Sequence, residues 1–144
     1  MGQFATLATI TKVEAMPGNS RLEVVSLSEN GQRAVVNHGE YKLGNIVVFF
    51  EAGAALPADD QRYAFLREKY LHSWQDKQGK ERKQVIHIKA VKIKGITSQG
   101  VVMPVSAFPE MAAIMNGEDE DDILQVRNFS ELDREMKTII NTAN

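Results

Sequence analysis

From Gln84 to Val105 the chain reads QVIHIKAVKIKGITSQGVVMPV, and no other stretch constrains the fold as tightly. His87 and Lys89 alternate with Ile86, Ile88 and Ala90. After Ala90 the phase flips, so Val91 and Ile93 become the apolar positions and Lys92 and Lys94 the polar ones. A one-residue slip in a period-2 pattern turns every side chain to the other face, unless the strand absorbs the extra residue as a bulge. The stretch therefore predicts a curved strand, bulged at Ala90-Val91, that directs His87, Lys89, Lys92 and Lys94 out of a barrel. Such a cationic strand suits a phosphate backbone.

Earlier β-signals agree with a barrel. Residues 7–13 alternate, with Leu7, Thr9, Thr11 and Val13 on one side. Met16-Pro17-Gly18-Asn19-Ser20 is a turn by composition, because Pro presets φ while Gly and Asn tolerate positive φ. Leu22, Val24 and Ser26 alternate with Glu23, Val25 and Leu27. Asn30-Gly31 is the dipeptide favoured in tight hairpins, and it leads into a strand at 33–36. A turn at 42–45 precedes the apolar run Ile46 to Phe50. Turn signals at this spacing predict a small β-barrel rather than a parallel sheet.

Two helical pieces interrupt the pattern. Pro57 to Tyr70 offers Asp59 or Asp60 as a helix start and sets Tyr63, Leu66 and Tyr70 on one face. In the tail, Ser130 is the expected N-cap, with Asp133 completing a capping box, and Leu132, Met136, Ile139 and Ile140 form a stripe. The polar segment 71–83 predicts a loop or hairpin tip that presents Trp74 for stacking on bases. The run Glu118 to Asp122 predicts a solvated linker.

The net charge of −2 conceals an asymmetry: residues 1–109 hold 14 Lys and Arg against 10 acids, and residues 110–144 hold 3 against 9. This describes a mildly basic domain followed by an acidic segment, far from the excess of a dedicated DNA binder. The absence of cysteine rules out disulfides and thiolate metal sites. His38, His72 and His87 lack partners at metal-ligand spacing, so no metal site is expected. The start MGQFATLATITKV has neither the basic nor the apolar region of a signal peptide, which points to a cytoplasmic protein. No run approaches the roughly 18 apolar residues that a membrane helix needs, and no membrane partner is expected.

The ordered blocks Ala5-Thr6-Leu7-Ala8-Thr9-Ile10, Pro17-Gly18, Arg21-Leu22-Glu23-Val24, residues 39–51, Leu56-Pro57, residues 88–95, Ser98-Gln99-Gly100-Val101 and residues 104–109 resemble the N-terminal OB-fold domain of RNA ligases that carry this domain before a nucleotidyltransferase domain. A fainter likeness is to the OB-fold tRNA-binding domains attached to synthetases. The resemblance implies an all-β, five-stranded OB-type barrel with a helical insertion before its fourth strand and a C-terminal helix. Residues 1–110 would form the OB domain, and 111–144 an acidic linker and helix. It further implies a non-catalytic domain of RNA repair that positions RNA, or a nicked RNA-containing duplex, through phosphate contacts. Arg21, Arg33, Lys42, His87, Lys89, Lys92 and Lys94 are the expected cations, with Ser98 and Gln99 donating at a corner. ATP and magnesium would belong to a nucleotidyltransferase domain, in cis or in trans, and no cofactor is expected for this chain. Lys92-Ile93-Lys94-Gly95 spells the K-x-x-G of a lysine nucleophile but falls within the OB strand, so no catalytic residue is expected and no activity from the chain alone. A protein-interaction or architectural OB module, docking through the tail stripe, is the alternative.

Overall fold

A computed structural model describes residues 3–28 and 31–142, with 113–116 described by backbone alone. In chain order, β1 is Ala5–Ala15, β2 Leu22–Leu27, β3 Arg33–Asn37, β4 Ile46–Glu51 and β5 Ala54–Pro57. A 3-10 segment at Gln61–Leu66 runs into the single turn α1, Arg67–Tyr70. Then come β6 Leu71–Gln75, β7 Glu81–His87, β8 Val91–Ile93, β9 Ile96–Ser98 and β10 Gly100–Pro104. Two 3-10 segments lead to α2, Glu120–Leu124, followed by β11, Arg127–Asn128, and α3, Phe129–Thr142.

Five antiparallel strands in the order β10-β4-β1-β2-β3 make the barrel. Its seam closes where β3 meets the start of β10. The amide of Val35 donates to Ser98 Oγ at 3.0 Å, and Arg33 and Gln99 exchange two bonds, from the Arg33 amide to Gln99 Oε1 at 2.7 Å and from the Gln99 amide to the Arg33 carbonyl at 2.9 Å. Ile10, Val25, Leu27, Val36, Val47, Phe49 and Tyr41 fill the interior. Gly100 sits where only a hydrogen fits, since a Cβ there would lie 2.1 Å from the Phe50 carbonyl oxygen. The turn expected at Asn30-Gly31 between β2 and β3 falls on Asn30, which lies outside the described residues.

The stretch from Gln84 to Val105 differs from the single bulged strand expected of it. It divides into β7, the β8–β9 hairpin and β10, with no strand at 88–90. The barrel's fourth strand is β4 and its fifth is β10, so the insertion lies between the fourth and fifth strands rather than before the fourth. The phase flip at Ala90 marks a change of sheet instead of a bulge, and the two events leave the same trace in a period-2 pattern.

The insertion builds a second sheet, in the order β11-β5-β7-β6, whose two faces serve two different cores. Ala54, Leu56, Ile86 and Ile88 pack with Tyr63, Leu66, Tyr70 and Phe108 against Val48, Phe50 and Met103 on the barrel's outer surface. Ala55, Trp74 and Val85 point the other way and bury Leu132 and Met136 of α3. Alternation along β5 and β7 is thus fully used, and α3 docks on the insertion sheet rather than on the barrel. The helix is capped by Asn128, whose Oδ1 accepts from the Glu131 amide at 3.3 Å, and not by Ser130. Ile139 drops out of the expected stripe and is 47% exposed. The run Glu118 to Asp122 also departs from a solvated linker: Asp119 caps α2, Glu120 is buried, and Asp121 binds the start of β1. No described helix is long and apolar enough to cross a membrane.

Candidate nucleic-acid interface

The outer face of the β2–β3 pair is set by register. Pairing of Leu22 with Asn37, Val24 with Val35 and Ser26 with Arg33 places these six residues opposite the barrel-filling set. Across the seam stands the β8–β9 hairpin, in which Lys92 pairs with Thr97 and Ile93 with Ile96. Its two-residue turn is Lys94-Gly95, at φ 52° and 82°. Positive φ at both positions is the backbone of a tight hairpin turn whose twist matches that of its strands. Lys92-Ile93-Lys94-Gly95 therefore owes its spelling to a hairpin tip.

Ser98 and Gln99 meet β3 at this seam through Val35 and Arg33, while Lys92 and Lys94 stand on the adjoining hairpin, Lys92 opposite Thr97 and Lys94 in its turn. Two of them are committed to the fold. Ser98 is buried, and its hydroxyl donates to the Gly100 carbonyl at 3.1 Å while accepting from Val35; it fastens the seam and is not available as an exposed donor. Gln99 spends its carbonyl oxygen on the Arg33 amide. The expected cations elsewhere are dispersed. Arg21 lies at the far end of β2–β3 from Arg33, where its carbonyl accepts from the His38 amide at 2.8 Å. Lys42 lies in the turn before β4, its amide bonded to Asn45 Oδ1. Lys89 follows β7 and is close enough to His72 and His87 to disfavour their protonation.

His87 and Trp74 fall in the contact between α3 and the insertion sheet. The His87 ring stacks on Phe129 with centroids 3.5 Å apart and planes 3° from parallel. Burial, with Lys89 and His72 nearby, lowers its pKa to about 4. His87 is thus a neutral packing group at pH 7 rather than an outward cation. Trp74 is 4% exposed; its indole N–H donates to Asp133 Oδ1 at 2.9 Å, and its ring stacks on Phe129. It is closed to a base. The expectation failed because 71–83 forms the β6–β7 hairpin and α3 covers it, a tertiary contact that local polarity does not reveal.

Pairing separates structural cations from free ones. Arg62 lies 4.6 Å over the Phe108 ring and bonds both Asp60 and Glu110, at 2.8 and 2.7 Å, holding both carboxyls below their usual range. Arg127 pairs with Glu135 at 2.7 Å and Lys137 with Asp133 at 2.9 Å. Among the described residues, Arg21, Arg33, Lys42, Lys89, Lys92 and Lys94 are all exposed and make no ion pair. No three His, Asp or Glu side chains converge as a metal site among the described residues.

Sequence reasoning missed Phe65. Within Gln61–Leu66, Tyr63 and Leu66 turn into the core, which leaves the Phe65 ring 65% exposed. It lines a groove of about 330 Å³ with Asn37, Glu40, Lys69, Val91 and Ile93. The helical spacing of Tyr63, Leu66 and Tyr70 carried the signal, since it assigns Phe65 to the opposite face.

A nearly closed five-strand antiparallel barrel with a groove beside its second and third strands fits the OB class, which binds oligonucleotides and oligosaccharides on that face. The chain belongs to the OB-fold domain family, whose pattern matches residues 4–105. No curated protein matches the sequence. Among solved structures it is similar to the RNA ligase of Naegleria gruberi. A mutant of that ligase with ATP and manganese gives a TM-score of 0.70 at 26% identity, covering 88% of this chain and 35% of that one. An apo mutant gives 0.72 at 25%, covering 90% and 36%. The ligase with pyrophosphate gives 0.70 at 25%, covering 89% and 35%. The chain thus spans about a third of the ligase chains it matches.

Proposed function

We propose that this chain is the non-catalytic nucleic-acid-binding OB domain of an RNA ligase, and that it holds nicked or structured RNA through phosphate contacts. The observation that carries this reading is that Arg33 at the barrel seam and Lys92 and Lys94 on the hairpin adjoining it are all exposed and free of carboxylate partners, in a chain similar over nearly its whole length to part of an RNA ligase. Phosphate contacts position a nucleic acid without reading its sequence, and they need cations that internal ion pairs have not already neutralised. Lys42 and Lys89 are likewise exposed and without carboxylate partners, elsewhere on the surface. The adenylylation and sealing steps belong to a nucleotidyltransferase domain, in cis or in trans, with its ATP and magnesium. This chain positions the RNA for them, in RNA repair in the cytoplasm.

Fluorescence anisotropy with a nicked RNA-containing duplex tests the reading. Binding at low salt that weakens in Arg33→Glu/Lys92→Glu, with an unchanged circular dichroism spectrum, supports it. Equal binding by that variant and the wild type defeats it.

A further inference from the structure

We propose that the groove beside β3 takes the unstacked base of a single-stranded RNA nucleotide, with Phe65 as the stacking platform. The inference rests on the RNA-binding reading above and adds to it a preference for unpaired RNA. An exposed phenylalanine alone says little, because single apolar side chains are common on surfaces. Phe65, however, is one wall of a built groove. Val91 and Ile93 of the hairpin face it, and the volume of about 330 Å³ falls at the small end of ligand pockets, roughly 300–1,000 Å³. The backbone beneath the ring is held, because Tyr63 and Leu66 on either side are anchored in the core at 1% and 6% exposure, so only the two side-chain torsions of Phe65 remain to be ordered on stacking.

Polarity in the groove suits a nucleotide. Asn37 Nδ2 donates to Glu40 Oε2 at 3.0 Å, which leaves amide and carboxylate groups at one end to meet the polar edge of a base. Lys69 lies one turn after Phe65 and lines the same groove. Arg21 immediately precedes Leu22, the cross-strand neighbour of Asn37, and Lys94 immediately follows Ile93. Apolar walls inside and cations outside match a base inside and its phosphates outside. A base in an intact duplex is stacked and paired on both sides, so only an unpaired nucleotide can enter. Each base–aromatic stack of this kind contributes enough to be measured singly.

The test compares an unstructured RNA of about 12 nucleotides, within the site sizes of OB folds, with a blunt RNA duplex of equal length. Binding is read by anisotropy at low salt for the wild type, Phe65→Ala and Phe65→Trp. Phe65→Ala is expected to weaken single-strand binding by roughly 5- to 150-fold, the range of one lost stack, while Phe65→Trp retains it and duplex binding changes by less than about two-fold. If Phe65→Ala lowers both ligands alike, or neither, the groove is not a base site, though the RNA-binding reading stands. If the wild type binds neither RNA, that reading itself fails. Should Phe65→Ala instead abolish a concentration-dependent dimer in size-exclusion chromatography and spare RNA binding, the groove is a protein contact and the inference is overturned.

Discussion

Replacing Asp121 by alanine should cost this protein a measurable part of its stability, although Asp121 sits in a run that reads as a solvated linker. Its carboxylate accepts from three successive amides at the start of β1: Gln3 at 3.0 Å, Phe4 at 3.1 Å and Ala5 at 2.7 Å. These bonds fix the strand whose Ala5 pairs with Phe50, and they tie α2 to the barrel. In the variant the Gln3 amide rehydrates, because that residue is exposed, but Ala5 is 0% exposed and its amide loses its partner. An orphaned buried donor costs about 1–3 kcal/mol, and a lost charge-assisted bond adds a comparable amount, so the expected loss is about 2–4 kcal/mol. Asp121→Asn keeps one acceptor oxygen and should lose about half as much. For a domain of this size the alanine variant should melt about 10 °C lower. Urea unfolding followed by the fluorescence of Trp74, the sole tryptophan and a reporter of α3 docking, gives the free energy. A loss below about 0.5 kcal/mol, the scatter of an ordinary surface change, would refute the reasoning and return 118–122 to the status of a linker.

Stability should fall on acidification between pH 6.5 and about 4: His87 has a folded pKa near 4, so the unfolded chain takes up its proton first and is favoured as the pH drops through that window. His87→Phe should keep the stack on Phe129 and remove most of this dependence, seen as urea midpoints at pH 7.5 and 5 that differ less than in the wild type. Tyr63→Phe should be neutral or stabilising by up to about 1 kcal/mol, because the Tyr63 hydroxyl is buried with no hydrogen-bond partner, and a clear loss in thermal unfolding would mean that a partner exists. Incubation with magnesium and radiolabelled ATP should leave the chain unlabelled, since Lys92 stands on an exposed hairpin; a label that disappears in Lys92→Ala would contradict the non-catalytic reading.

The barrel was legible because its signals are local. The turns at 16–20 and 42–45 and the alternation along β1, β2 and β3 all depend on neighbours in sequence. The same holds for the buried face of Tyr63, Leu66 and Tyr70. What escaped depends on which sheet a strand joins. A change of sheet at 88–90 leaves the same alternation as a bulge, so the pattern alone puts β7 in the barrel and the insertion one strand too early. Trp74 sits among polar residues in sequence and His87 takes the polar phase of an alternating strand, yet α3, more than forty residues further along the chain, buries one and stacks on the other. The exposed cations Arg33, Lys92 and Lys94 are legible as candidates. The use of Ser98 as the barrel's fastener was not, because its partner Val35 lies sixty-three residues away.

The salt dependence of RNA binding tests the central claim most directly. Anisotropy titrations of a nicked RNA-containing duplex across a range of salt concentrations give log K against log salt. Each phosphate neutralised by a lysine or arginine contributes a slope of about −0.7 to −0.9. The account predicts weak binding with a slope of about −2 to −3 from Arg33, Lys92 and Lys94, reduced by about 1 to 2 in Arg33→Glu/Lys92→Glu. Binding that is indifferent to salt, or a slope unchanged in that variant, would contradict it.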